Sequence, residues 1–298
     1  MNALITVIIP HYNSYDELYR AISSVFSQTI DSYELIVVDD NSPDNSRLID
    51  VISKFQDKRL SLIEHSKNLN GSAARNTGIL NSSTKYVALL DCDDFWQPEH
   101  LSKCLKKINN TDNQGVFSNL NVWHDSTGAS KSVYKSRNRS KDETPADFIL
   151  GNGIAQTSSY FLLREAATEV LFDERLYRHQ DFDFFIRYAN KYSFVWLDSY
   201  EVVTLWELNK PRNVNFTSCI LFYKKHKNEL KSKVKNKYLL KMLYTSHYSN
   251  ASKNVVGFYI DELRAANNPL SLFYLLTFAP RFLWKATIVA KNVVRKYI

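Results

Sequence analysis

The chain is poor in the residues that punctuate or cross-link polypeptides. Its 298 residues include only seven glycines and seven prolines, too few for a collagen-like or low-complexity chain. No segment repeats at solenoid periods. Three cysteines, Cys92, Cys104 and Cys219, are too few and too scattered for a disulfide framework or a zinc site, which points to a reducing compartment. Long hydrophobic runs are missing too. The most extended, around Leu270 to Ala279, is about half the ~20 residues that a membrane span needs. The first residues carry no basic segment of a secretory kind, so a cytoplasmic location is expected.

What is present is enough for a core: hydrophobic residues make up 44% of the chain and charged ones 23%, which excludes general disorder. The first hundred residues alternate strand-length apolar runs (Leu4–Ile9, Glu34–Val38, Leu60–Glu64, Lys85–Leu90) with helical patterns (Tyr15–Gln28, Ser46–Phe55, Ser72–Leu80, Pro98–Ile108). In the second helix Leu48, Ile49, Ile52 and Phe55 are expected inward, and Pro98 suits a first helical turn. This rhythm predicts an α/β fold, a mostly parallel sheet flanked by helices. Further on, Gly115–Trp123, Ser158–Leu163 and Phe194–Leu205 read as strands, and Ser126–Glu143 as a mobile loop. Asp181–Lys191 reads as a helix with Phe182, Phe185, Ile186 and Ala189 on its apolar face. The expected division is a catalytic domain over 1–210, with halves near 1–110 and 111–210, and a helical basic region over 211–298.

Charge is uneven. The net +7 combines +12 from Lys224 onward with −5 before it. The pattern over Phe282 to Ile298 predicts a helix with Leu283, Ala286, Ala290, Val293, Val294 and Tyr297 on one face and Lys285, Lys291, Arg295 and Lys296 opposite. That suits peripheral contact with an anionic membrane, or else a packed helical subdomain or dimer contact. No nucleic-acid module accompanies the charge.

Chemistry gathers at strand ends. One apolar run closes in Asp39-Asp40-Asn41-Ser42 and another in Asp91-Cys92-Asp93-Asp94. In an open parallel sheet, ligands bind outside the carboxyl ends of the strands, so both clusters point to one crevice. Five carboxylates repel one another unless a cation joins them. A hard divalent ion, Mn2+ or Mg2+, shared with ligand phosphates, suits such oxygens. Either Asp pair alone could equally be a turn former. Trp96 and Trp206 read as core or as sugar-stacking platforms, and Asp183 as a solvated neighbour of Asp181.

Val7-Ile8-Ile9-Pro10-His11-Tyr12-Asn13, Glu34 to Ser42, Ala74-Arg75-Asn76-Thr77-Gly78-Ile79 and Tyr86 to Pro98 resemble, in order, the motifs of family 2 inverting glycosyltransferases. Phe172-Asp173-Glu174-Arg175-Leu176 and Gln180-Asp181-Phe182-Asp183 through Arg187 resemble that family's acceptor-side motif. The resemblance covers about residues 4–206. It implies the GT-A fold, a nucleotide-sugar donor, UDP by family habit, and inversion. Carried over, Pro10 and Tyr12 would flank the nucleobase, and Asp40, with Asp39, would accept a hydrogen bond from it. Arg75 would lie near the nucleotide, Asp91 near ribose or metal, and Asp93 would bind the metal. Asp181 would be the catalytic base. Asp94, Trp96, Gln180 and Arg187 would be acceptor-side candidates.

The sequence departs from the pattern at Gln180, where Glu is commoner, and at Asn41, where Gly is usual. Asn tolerates the left-handed turn that Gly serves there. The expected function is sugar transfer to a glycan or lipid-linked acceptor in surface polysaccharide biosynthesis (capsule or lipopolysaccharide) at the inner face of the cell membrane. A sugar-phosphate nucleotidyltransferase would carry a Gly-rich basic loop after the first strand, unlike Pro10 to Ser14. A non-catalytic nucleotide-sugar-binding subunit would not need Asp91, Asp93 and Asp181 together.

Overall fold

A computed structural model describes residues 3–110, 112–124, 130–206 and 214–266. The chain divides into two compact units, residues 1–211 and 212–298. The first opens with β1 (Ile5–His11), α1 (Tyr15–Phe26), β2 (Tyr33–Asp39), α2 (Asn45–Ser53), β3 (Leu60–Glu64), α3 (Gly71–Asn81) and β4 (Tyr86–Leu89). It continues through β5 (Asp94–Trp96), α4 (His100–Asn109), β6 (Gly115–Trp123), β7 (Lys131–Tyr134) and α5 (Pro145–Gly151). A 3-10 turn at Thr157–Ser159, β8 (Phe161–Leu163), α6 (Arg164–Val170), α7 (Gln180–Lys191) and β9 (Phe194–Leu205) complete it.

The sheet runs β3-β2-β1-β4-β8-β6-β9-β5, with β7 on β6. Strands β3, β2, β1 and β4 are mutually parallel, while β8 enters antiparallel between β4 and β6. The chain crosses from β3 over β1 to reach β4, so strand order reverses beside β1. That reversal opens a crevice at the carboxyl ends of β1, β2 and β4.

Alternation along the strands explains the two layers. Ile5, Val7 and Ile9 of β1 share one core with Leu18, Ile22 and Val25 of α1. On the other face, Ile36 and Val38 pack with Ala74 of α3. A Cβ on Gly78 of α3 would lie 2.3 Å from Ile8 Cγ2, so only glycine lets this helix seat so closely on β1. Asn70 caps α3, its side chain accepting from the Ser72 and Ala73 N–H groups at 2.8 and 3.4 Å.

Several expectations change on folding. Helix α4 starts at His100 behind Glu99, so Pro98 lies ahead of its first turn. Ile49 is exposed and Val51 takes its inward place in α2. The segment expected as a mobile loop instead contains β7, paired antiparallel with β6. In α7 Phe184 is buried together with Phe185 and Tyr188, whereas Phe182 is only partly buried. The expected strand over 158–163 begins as the 3-10 turn and pairs only from Phe161.

The second unit holds α8 (Phe216–His226), α9 (Ser232–Tyr248) and α10 (Lys253–Ala265). Phe222, Leu239, Met242, Tyr259 and Leu263 are buried in it. Glu262 accepts from Tyr223 Oη at 3.0 Å and Lys227 Nζ at 2.9 Å. No helix among the described residues is long and apolar enough to cross a membrane. The amphipathic stretch from Phe282 to Ile298 lies outside the described residues.

Candidate active site

The acidic clusters sort themselves by packing. Asp39 is buried under His11 and Ser42: it accepts from Ser42 N–H at 2.8 Å and Ser42 Oγ at 2.5 Å, and lies 2.7 Å from His11 Nδ1. His11 Nε2 accepts the Ser14 N–H, so Nδ1 is the nitrogen that donates to Asp39. Burial opposes the Asp39 charge, but the hydrogen bonds from His11 and Ser42 outweigh it and hold the carboxyl below its usual range. Asn41 has φ of 62°, the left-handed turn expected of it. Asp94 is also hidden. It accepts from Ser158 Oγ at 2.5 Å, and burial, with the Asp93 and Asp91 charges, pushes its pKa well up.

Asp40, Asp91 and Asp93 remain to line the crevice, a cavity of about 240 Å³ bounded also by Pro10, Tyr12, Gly71 and Arg75. Asp40 is fixed by the Leu69 and Asn70 N–H groups at 2.8 and 2.7 Å and by His65 Nδ1 at 2.8 Å. Tyr12 stands 51% exposed. Asp93 opens to the crevice, yet the enclosing walls and then the Asp91 charge raise its pKa.

Arg75 organises the centre. Its Nε and Nη2 donate to Asp91 Oδ1 at 3.2 and 2.5 Å, and its Nη1 donates to Gln180 Oε1 at 3.0 Å. Arg75 and Asp91 therefore form the common wall of the crevice and a second cavity of about 230 Å³, which is lined by Gln156, Thr157, Tyr177, His179, Gln180 and Asp181. Asp181 stands in the first turn of α7. Burial, aided by the Asp91 charge, lifts its pKa to about 6.

Other expected residues are not brought here. Trp96 is 2% exposed and donates from Nε1 to the Ser158 carbonyl at 2.8 Å. Trp206 is partly buried, packs against the core of the first unit and meets Tyr134 at 5.1 Å between ring centroids. Arg187 donates from Nε to Asp183 Oδ2 at 2.8 Å and from its other nitrogens to the Val170 and Leu171 carbonyls. Asp183 is fully buried, not solvated as its sequence position suggests. Reading the sequence missed Ser158, which also accepts the Asp91 N–H at 3.0 Å, and Asn76, which clamps Phe172 and Glu174. Nothing local marks Ser158; Asn76 sits inside a motif but its partners are almost a hundred residues away.

The family model for Glycosyl transferase family 2 matches residues 6–172. The chain belongs to this family. Among relatives, this glycosyltransferase is 34% identical over 197 residues to the amylovoran biosynthesis glycosyltransferase AmsB of Erwinia amylovora, covering 63% of this chain and 64% of that one. Its fold is that of S. aureus TarS 1–349, solved with UDP-GlcNAc, at TM-score 0.67 and 17% identity over 92% of this chain and 88% of that one. It also resembles the mannosyltransferase PcManGT of Pyrobaculum calidifontis, solved with GDP-Man and Mn2+, at TM-score 0.56 and 15% identity over 96% and 88%. The GT-A fold is thus shared.

A metal would have to fit these side chains. Among the described residues, no three His, Cys, Asp or Glu groups converge as a ready-made centre. Asp91 and Asp93 line one crevice, with Arg75 holding one Asp91 oxygen. Two carboxylates beside open space suit a hard divalent cation that keeps phosphate or water ligands, not a protein-only cage.

Proposed function

We propose that this glycosyltransferase is metal-dependent and inverting. It passes a hexosyl or N-acetylhexosaminyl group from a nucleotide-diphosphate donor, UDP being the nucleotide, to a hydroxyl of a glycan or lipid-linked glycan during surface polysaccharide biosynthesis. One observation carries the reading: the Arg75–Asp91 pair is the shared wall between the acidic crevice and the cavity of Asp181. Donor diphosphate on one side and acceptor hydroxyl on the other would meet at that wall. AmsB supports the polysaccharide setting by its name, and TarS supports the donor class through its UDP-GlcNAc complex.

In this mechanism Pro10 and Tyr12 flank the base and Asp40 accepts a hydrogen bond from it. Asp181 takes the proton of the attacking hydroxyl. At pKa about 6 it is ionised at neutral pH yet more basic than an ordinary aspartate. A single displacement with one base inverts the anomeric centre. Arg75 places fixed positive charge beside the departing diphosphate. A divalent cation held by Asp93, with Asp91, would supply Lewis-acid stabilisation of that leaving group. Nucleotide sugars screened for donor hydrolysis and thermal stabilisation test this. UDP-sugars with Mn2+ or Mg2+ should score, and EDTA should abolish turnover. Full activity in chelator would remove the role given to Asp93.

A further inference from the structure

The cavity of Asp181 has a wall that this mechanism does not use. Tyr177 lines it while 64% of the residue stays exposed. The segment carrying it is tied down. Leu176 is fully buried, its carbonyl accepts from Gln180 Nε2 at 2.7 Å, and its N–H donates to the Asp173 carbonyl at 3.0 Å. From α3, Asn76 holds Phe172 and Glu174, and Asn70 Nδ2 donates to the Glu174 carbonyl at 2.7 Å. The neighbouring His179 ring is spent on packing, lying 5.3 Å from Phe182 and nearly parallel to it at 8°. An exposed ring is thus presented from a fixed backbone, four positions before Asp181.

Polar groups share the same cavity. Gln156 and Thr157 line it, and Gln156 is oriented by Thr204 Oγ1 at 3.2 Å and by Asp94 Oδ2 at 3.4 Å. An aromatic face beside an anchored amide and a hydroxyl matches a ligand with an apolar C–H face and a rim of hydroxyls, which is a pyranose ring. Of the sequence's two candidate platforms, Trp96 is walled into the core and Trp206 packs on Tyr134. We propose that Tyr177 is the stacking platform for the acceptor's terminal pyranose and so selects the acceptor; this rests on the glycosyl-transfer reading above. A sugar seated there carries its hydroxyls in the cavity of Asp181.

The test uses the full chain and a set of octyl pyranosides (glucoside, galactoside and N-acetylglucosaminide), read by saturation-transfer NMR with UDP and diamagnetic Mg2+ present. UDP stabilisation is measured separately by thermal shift. The wild type should saturate ring C–H protons of at least one pyranoside. Y177A should weaken that binding about 2- to 12-fold, the range for an aromatic contact, and Y177F should keep it, with UDP stabilisation alike in all three. The platform is overturned if Y177A binds as the wild type does, if Y177F loses as much as Y177A, or if no pyranoside binds while UDP stabilises. Pyranoside binding lost in Y177A, with no stabilisation by UDP in any variant, would keep Tyr177 as a pyranose platform and sink the UDP-donor reading instead.

Discussion

Replacing Asp181 with asparagine separates proton transfer from the rest of the reaction. The side chains are nearly isosteric, and the Asp181 carbonyl that accepts from Tyr160 Oη at 3.2 Å is untouched, so the start of α7 should hold. The change removes a base, and general-base catalysis is worth ~100- to 10,000-fold; a loss of that size in kcat is expected. The wild-type pH profile should carry the signature of the same group. Burial and the Asp91 charge raise Asp181 to about 6, and only the ionised form accepts a proton. Hence kcat/KM should be level above pH 7 and fall below about 6, approaching a tenfold loss per pH unit. Initial rates of transfer from about pH 4 to pH 8 measure both, with buffers matched in ionic strength. D181N should keep UDP affinity, because Asp181 lines the second cavity and not the crevice of Asp40 and Asp93. Turnover within about threefold of wild type, or an acid limb near the ordinary aspartate value of about 4, would refute the assignment. Asp183 would not inherit the role, since it is fully buried against Arg187.

Asp40→Ala should weaken UDP binding in calorimetry, and it should also lower Tm, because the Leu69 and Asn70 N–H groups lose their acceptor; unchanged UDP affinity would dismiss its role. Gly78→Ala should cost about 1–3 kcal/mol by overpacking, since the new methyl falls 2.3 Å from Ile8 Cγ2, and a neutral result in urea melts would refute this packing argument. Truncation before Leu270 should release the chain from anionic vesicles while UDP still binds. Charge reversal at Lys285, Lys291, Arg295 and Lys296 should do the same, each cation being worth about 1 kcal/mol at the surface; vesicle binding that survives both changes speaks against the membrane reading.

How far the site was legible depended on the range of the forces involved. Strand-length apolar runs followed by Asp-rich turns declare themselves locally, and so β2 and β4, with their acidic ends, could be found from order and period alone. Asn41 was readable for the same reason: its own side chain tolerates the left-handed φ of 62° that the turn requires. Gly115–Trp123 and Phe194–Leu205 stand where their apolar patterns put them. Between neighbouring aspartates, however, sequence offers no choice. Asp39 turns to His11 and Ser42 while Asp40 reaches the crevice, and Asp94 is drawn under Ser158 while Asp93 stays open. Successive side chains leave the backbone in different directions, and only the surrounding packing decides which direction is core. Arg75 was visible as a motif residue, but its bond to Gln180 spans 105 positions, and its role as the wall between two cavities exists only once α3 and α7 are assembled. Trp96 and Tyr177 make the same point in opposite senses. Both are large aromatics able to stack on a sugar, and the fold buries one and leaves the other exposed because long-range contacts, which no local pattern encodes, determine what covers each ring.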